Sequence, residues 1–174
     1  GTMVQVAVTD LAAYFDDEIT AMPNLVTVGA GATATTVAGI PLYRASDSLY
    51  THDVSGTDDT AAHNAAYGIN ALDAVTTGDE NTAIGSAALG ANTTGAYNVG
   101  VGRQVLDANT TGSQNVAVGY DALGANTTAS DNIAIGSGAM AANTTGTRNI
   151  AIGKAAYDAS DTENDNMAIG YNAM

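Results

Sequence analysis

Asparagine recurs in this chain at Asn64, Asn81, Asn98, Asn115, Asn132, Asn149 and Asn166, always 17 residues apart. Four residues after each stands a glycine: Gly68, Gly85, Gly102, Gly119, Gly136, Gly153 and Gly170. A fixed period of this kind is the signature of a repeat architecture and constrains the fold before any composition is considered. Within each unit the residues after the asparagine alternate. Val99 and Val101, Val116 and Val118, Ile133 and Ile135, Ile150 and Ile152 bracket a small residue, Gly100, Ala117, Ala134 or Ala151. Residues i and i+2 of a strand share a face, so this segment reads as a strand with one branched and one bare face. A second apolar segment carries Leu72, Leu89, Leu106, Leu123, Met140, Tyr157 and Met174, and is read as a second short strand. Turns such as Asn92-Thr-Thr-Gly95 close the unit, with glycine expected to supply a positive φ.

Seventeen residues cannot bury a core alone. Stacked coils can, by pairing their strands in parallel. The predicted fold is therefore all-β, a parallel β-roll of seven 17-residue coils over 64–174, preceded by a small α+β cap over 1–63. Recurrent glycine and Thr-Thr, and a period half that of two-helix units, disfavour helical repeats. Both faces of the first strand are apolar, and a thin coil can cover one of them. The small-residue face is expected to be the uncovered one, open to close approach by another copy of the chain. Cyclic symmetry would set the same strand of each copy around one axis.

The Asn-x-Ala-Ile-Gly strand, the Asn-Thr-Thr-Gly turn and the segments Gly119-Tyr-Asp-Ala-Leu123 and Gly170-Tyr-Asn-Ala-Met174 resemble the head repeats of YadA-like trimeric autotransporter adhesins. They are also similar to repeats of phage-type fibre proteins. The resemblance covers 64–174. It implies a left-handed β-solenoid and a homotrimer, with each chain giving one strand per coil to the central interface. Well-known heads of that family use shorter repeats, and neither a membrane-anchor barrel nor a coiled-coil stalk is visible here.

The net charge of −14, from 18 acidic and 4 basic residues, argues against binding nucleic acid or an anionic lipid surface. No cysteine is present, which removes disulfides and thiolate metal sites. No run of 18 apolar residues suggests a membrane helix. The acidic start, with Asp10, Asp16, Asp17 and Glu18, does not read as a signal peptide. Gly1-Thr2 before Met3 reads as a cloning remnant, and Met174 falls partway through a coil, so the chain reads as a piece of something longer.

Before the repeats, a capped helix is expected at about 10–22, its apolar face made by Leu11, Phe15, Ile19 and Met22 and its end set by Pro23. Strands are expected at 25–28 and 36–43, and loops from 44 to 63, with a degenerate first coil around Ser48-Leu49-Tyr50. Gly29-Ala-Gly31-Ala-Thr-Ala34 has the look of a dinucleotide fingerprint without a following helix, and is read as a turn. His52 and His63 beside Asp53, Asp58 and Asp59 lack ligand spacing and read as a solvated charge run.

No cofactor is expected. Acidic turns at Asp73, Asp107, Asp121 and Asp158 leave room for a calcium ion on charge alone, with no EF-hand or nonapeptide pattern to hold it. Sequons at Asn92, Asn109, Asn126 and Asn143 are explained by turn chemistry. The Asn64-to-Asn166 column is expected to bond along the stack. No catalytic set can be assembled. The expected function is that of a non-enzymatic, extracellular structural or adhesive fibre segment, on a virion or a bacterial surface, with a surface receptor or glycan as its partner. An ice- or crystal-binding solenoid is the alternative, resting on the Thr-Thr pairs, and a carbohydrate-active solenoid a more distant one.

Overall fold

A computed structural model describes residues 35–37, 40–45, 48–50, 60–159 and 162–174. Ten short strands form one continuous sheet in chain order. They are β1 (Thr35–Val37), β2 (Ile40–Ala45), β3 (Ser48–Tyr50), β4 (Ala65–Tyr67), β5 (Thr82–Ile84), β6 (Val99–Val101), β7 (Val116–Val118), β8 (Ile133–Ile135), β9 (Ile150–Ile152) and β10 (Met167–Ile169). From β4 onward every neighbour is parallel and in register at 17 residues, as in Val116↔Ile133 and Ala117↔Ala134. Seven strands at this spacing delimit six complete turns of a β-solenoid. At ~4.8 Å per strand the stack rises about 30 Å. No helix occurs among the described residues.

The expected helix at 10–22, the strand at 25–28, the Gly29–Ala34 turn and the segment 52–59 lie outside the described residues. The strand expected at 36–43 is instead a hairpin: β1 and β2 run antiparallel, and the chain reverses between Val37 and Ile40. β2 then pairs antiparallel with β3, and β3 pairs in parallel with β4 through Leu49↔Ala65 and Tyr50↔Ala66. The Ser48-Leu49-Tyr50 segment thus starts the stack, one residue short of the period, and the sheet runs unbroken past residue 64.

The second apolar segment of each coil is not a strand. Leu72, Leu89, Leu106, Leu123, Met140 and Tyr157 have φ of 55°, 52°, 51°, 53°, 53° and 54°. That left-handed backbone bends the chain sharply inward. A branched residue there costs about 1 kcal/mol or more in strain, offset by complete burial of the side chain, which is 0 % exposed at Leu89, Leu106 and Leu123. Backbone bonds still run coil to coil through these bends, as from Leu89 N–H to Val105 C=O (2.9 Å) and from Thr93 N–H to Thr110 C=O (3.0 Å). The polar backbone is thereby satisfied even where the strand geometry lapses.

The glycine that ends each strand has a conformational reason. Gly85, Gly102 and Gly119 sit at φ +132°, +142° and +132°, and a Cβ on any of them would run into the glycine carbonyl of the next coil. The turn glycines differ from expectation. Gly95 and Gly112 are not in the positive-φ region, and Ala129 takes the same place one coil on. The positive φ falls at the residue before each corner asparagine instead, as at Tyr97 (61°) and Gln114 (61°).

Inside the coil, the inward bend brings Leu72, Leu89, Leu106, Leu123, Met140 and Tyr157 against the central strand residues Ala66, Ala83, Gly100, Ala117, Ala134 and Ala151, which are also buried. Space is matched locally. Val105 stands where the other coils have Ala71, Ala88, Ala122, Ala139 and Ala156. A Cβ on the facing Gly100 would come 3.1 Å from Val105 Cγ1, so the glycine makes room for the larger neighbour.

Candidate functional site

The small-residue face of the strand is the interior, which reverses the expected orientation. Ala83, Ala117, Ala134 and Ala151 are 0 % exposed, while Ile84, Val118, Ile135 and Ile152 on the opposite face are 43, 37, 40 and 38 % exposed. The physical reason is the width of the coil. Once the Leu, Met and Tyr column fills the lumen, only alanine or glycine fits across from it, and the branched residues must point outward. Of the outward strand positions, from Ala65 and Tyr67 to Met167 and Ile169, all but Thr82 are apolar or aromatic. They form a ridge about 30 Å long on a sheet face that none of the described residues covers. Contiguous exposed apolar patches larger than a few hundred Å² mark interaction surfaces, and single scattered apolar residues do not. Alternation in the sequence reveals two faces, but which is inside depends on the second wall of the coil.

Columns of polar residues border the ridge. After the glycine that ends each of β5–β10 come the exposed residues Ser86, Arg103, Tyr120, Ser137, Lys154 and Tyr171, and after that of β4 the exposed Ile69. The Arg103 guanidinium lies 5.3 Å from the Tyr120 ring centroid, and Lys154 Nζ 5.8 Å from that of Tyr171. At the other end, before the corner asparagine, come Glu80, Tyr97, Gln114, Asp131, Arg148 and Asp165, also exposed. Here Arg148 grips Asp165 on the next coil through Nε–Oδ1 (2.6 Å) and Nη2–Oδ2 (3.0 Å). The hydrogen bond from Arg148 holds the Asp165 carboxyl below the usual carboxylate range.

Two asparagine ladders run inside the corners. In the first, each corner side-chain oxygen accepts the backbone N–H of the next asparagine, and Asn98 and Asn115 also donate back to the one before. Asn115 Nδ2 donates to Asn98 Oδ1 (3.1 Å) and to Ala129 C=O (2.9 Å), and Asn115 Oδ1 accepts from the Asn132 N–H (3.0 Å). The second ladder, Asn92, Asn109, Asn126 and Asn143, is fully buried, with Asn109 Nδ2 bonded to Asn92 Oδ1 (2.8 Å) and Gly112 C=O (2.9 Å). The two ladders converge on shared carbonyls: Gly95 C=O accepts from both Asn81 and Asn92. The amide nitrogens of these sequons therefore face inward, as part of the scaffold. At the top, Asn143 Oδ1 is buried with no hydrogen-bond partner among the described residues.

The other sequence candidates sit apart from the ridge. His63 is exposed at φ 61°. Asp107 is half-buried, and burial, with the nearby Asp121 charge, pushes its carboxyl above the ordinary range. Among the described residues no group of three or more His, Asp or Glu side chains is placed to hold a metal ion. In the Thr-Thr pairs, the first hydroxyl donates to the next coil, as from Thr93 Oγ1 to Thr110 C=O (3.0 Å), while the second residue, such as Thr94 or Thr111, is exposed. Each pair thus offers solvent one hydroxyl row rather than two. No family model, curated protein or solved structure matches this chain.

Proposed function

We propose that this chain is a structural, non-enzymatic shaft or head segment of an extracellular adhesive fibre, built as a homotrimer of left-handed β-rolls that meet through the outward Val/Ile ridge. The observation that carries the reading is the continuous apolar outer face of β4–β10 on an otherwise acidic chain. A ridge one strand wide and about 30 Å tall presents roughly 300 Å², and with its flanking columns roughly 600 Å², divided between the two neighbours each protomer meets in a trimer. Closing identical ridges around an axis removes this face from water without leaving an open apolar edge. A rigid rod with every coil bonded to the next suits a mechanical role, holding whatever contacts a virion or bacterial host surface at a fixed distance. A charge of −14 keeps such rods apart except where the ridges meet.

Sedimentation equilibrium at micromolar concentration tests the assembly. The expected mass is three protomers, and Val118→Asp with Ile135→Asp gives folded monomers. A wild-type monomer at tens of micromolar removes the reading. The attachment role is tested by coating beads with the trimer and measuring their retention on bacterial cells under flow. Retention no greater than that of beads carrying the monomeric variant would count against it.

A further inference from the structure

The column after the strand repeats in character every three coils, Ser86 with Ser137, Arg103 with Lys154 and Tyr120 with Tyr171, a period of 51 residues laid over the 17-residue one, and in the column before the strand Glu80 and Asp131 share that spacing. Acidic residues stand at Glu80 and Asp131, basic residues at Arg103 and Lys154, and the tyrosines beneath those cations at Tyr120 and Tyr171. This chain has only four basic residues, so two in equivalent places on one flank mark a specific arrangement. The acids lie at the start of the strand and the bases past its end. Six residues of chain separate Glu80 from Ser86, the same-coil neighbour of the basic column, a span of up to about 20 Å. The two columns therefore cannot pair within one chain.

They can pair between chains. When copies stand side by side around an axis parallel to the stack, all strands run the same way round. The flank after the strand of one copy then borders the flank before the strand of the next. Matching levels set Arg103 beside Tyr97, and one coil lower beside Glu80; Lys154 lies one coil above Asp131 in the same sense. A one-coil diagonal is ~4.8 Å, within the reach of an arginine or lysine stem. The neighbour's Arg148, level with Lys154, is already neutralised by its bidentate bond to Asp165.

We propose that a second copy of this chain docks parallel and in register, with Arg103 paired to Glu80 and Lys154 to Asp131 of its neighbour, and that these pairs set the orientation of the assembly. The proposal rests on the self-association reading above. The apolar ridge supplies adhesion but little polarity, since an inverted copy also buries valine and isoleucine. Charge pairs at its rim discriminate against an inverted copy, which sets basic flank against basic flank, while a copy shifted by three coils keeps opposite charges together but leaves much of the apolar ridge uncovered.

The test is a charge swap on the full chain, read by sedimentation with circular dichroism as the check on folding. Arg103→Glu with Lys154→Glu, or Glu80→Arg with Asp131→Arg, raises the midpoint concentration for assembly roughly tenfold or more at low salt. All four changes in one chain restore it, and that chain does not co-assemble with wild type. The neutral pair Arg103→Gln and Lys154→Gln gives a smaller loss and keeps the test open if a reversal fails to fold. Wild-type-like assembly of the half-swapped chains, or no rescue in the full swap, overturns the pairing while leaving self-association standing. A monomeric wild type overturns both.

Discussion

Replacing Asn115 with alanine removes a side chain that bonds three groups at once. Its amide donates to Asn98 Oδ1 at 3.1 Å and Ala129 C=O at 2.9 Å, and its oxygen accepts the Asn132 N–H at 3.0 Å. The losses are unequal. Ala129 C=O keeps the bond from Asn126 Nδ2 (3.1 Å), and Asn98 Oδ1 keeps the Asn115 N–H (3.0 Å). The Asn132 N–H is left with nothing, in a corner where Asn132 is 0 % exposed. An orphaned buried donor costs about 1–3 kcal/mol and each of the other two bonds about 1 kcal/mol, so Asn115→Ala is expected to destabilise by about 3–5 kcal/mol. Urea unfolding at fixed protein concentration, pH 7, measures it, with the exposed Thr111→Ala as a control expected within about 0.5 kcal/mol of wild type. Asn115→Asp separates the roles. It keeps the acceptor for Asn132 but aims a buried carboxylate at two oxygens, so it is worse than alanine at pH 7 and recovers in acid, where the protonated group donates again. An Asn115→Ala cost under about 1 kcal/mol would refute the ladder as the support of the corner.

Two further outcomes follow from the same geometry. Gly102→Ala, at φ +142° and with its new Cβ driven into the Gly119 carbonyl, is expected to lose more than 2 kcal/mol or fail to fold, whereas Ala129→Gly, at a position of ordinary φ, changes the urea midpoint only slightly. Asp107 is held above the usual carboxylate range by burial, so its folded form binds a proton more readily than the unfolded chain. Its contribution to stability is intact below the unfolded value and lost as pH rises through the folded one, so Asp107→Asn stabilises at pH 7 and changes nothing at pH 3, in paired thermal melts.

Much of the scaffold was legible in the sequence because its causes are local and repeated. The corner asparagines and the strand-ending glycines answer to constraints that recur in every coil: a backbone to be bonded and a Cβ that would strike the coil above. Stacking copies those constraints at a fixed interval, and the interval is readable. Even the degenerate coil at Ser48-Leu49-Tyr50 kept enough of the pattern to be found. The buried second ladder at Asn92–Asn143 was legible as a periodic turn but not as core, since burial depends on what lies across the lumen.

The candidate site was less legible. The alternation of Ile133-Ala134-Ile135 determined that this strand has a branched and a small face, and apolar composition on both implied that one face needs a partner. Which face that is could not come from the strand alone. It depends on Leu89, Leu106, Leu123 and Met140, whose left-handed backbone drives their side chains into a lumen one residue wide and leaves room for nothing larger than alanine opposite. The sequence by itself determined the period, the parallel register and the identity of the columns, because each follows from neighbours along the chain or one coil away. Only the tertiary structure decided inside from outside, because that is a question of volume enclosed between two walls of the coil, and volume is settled by both walls together.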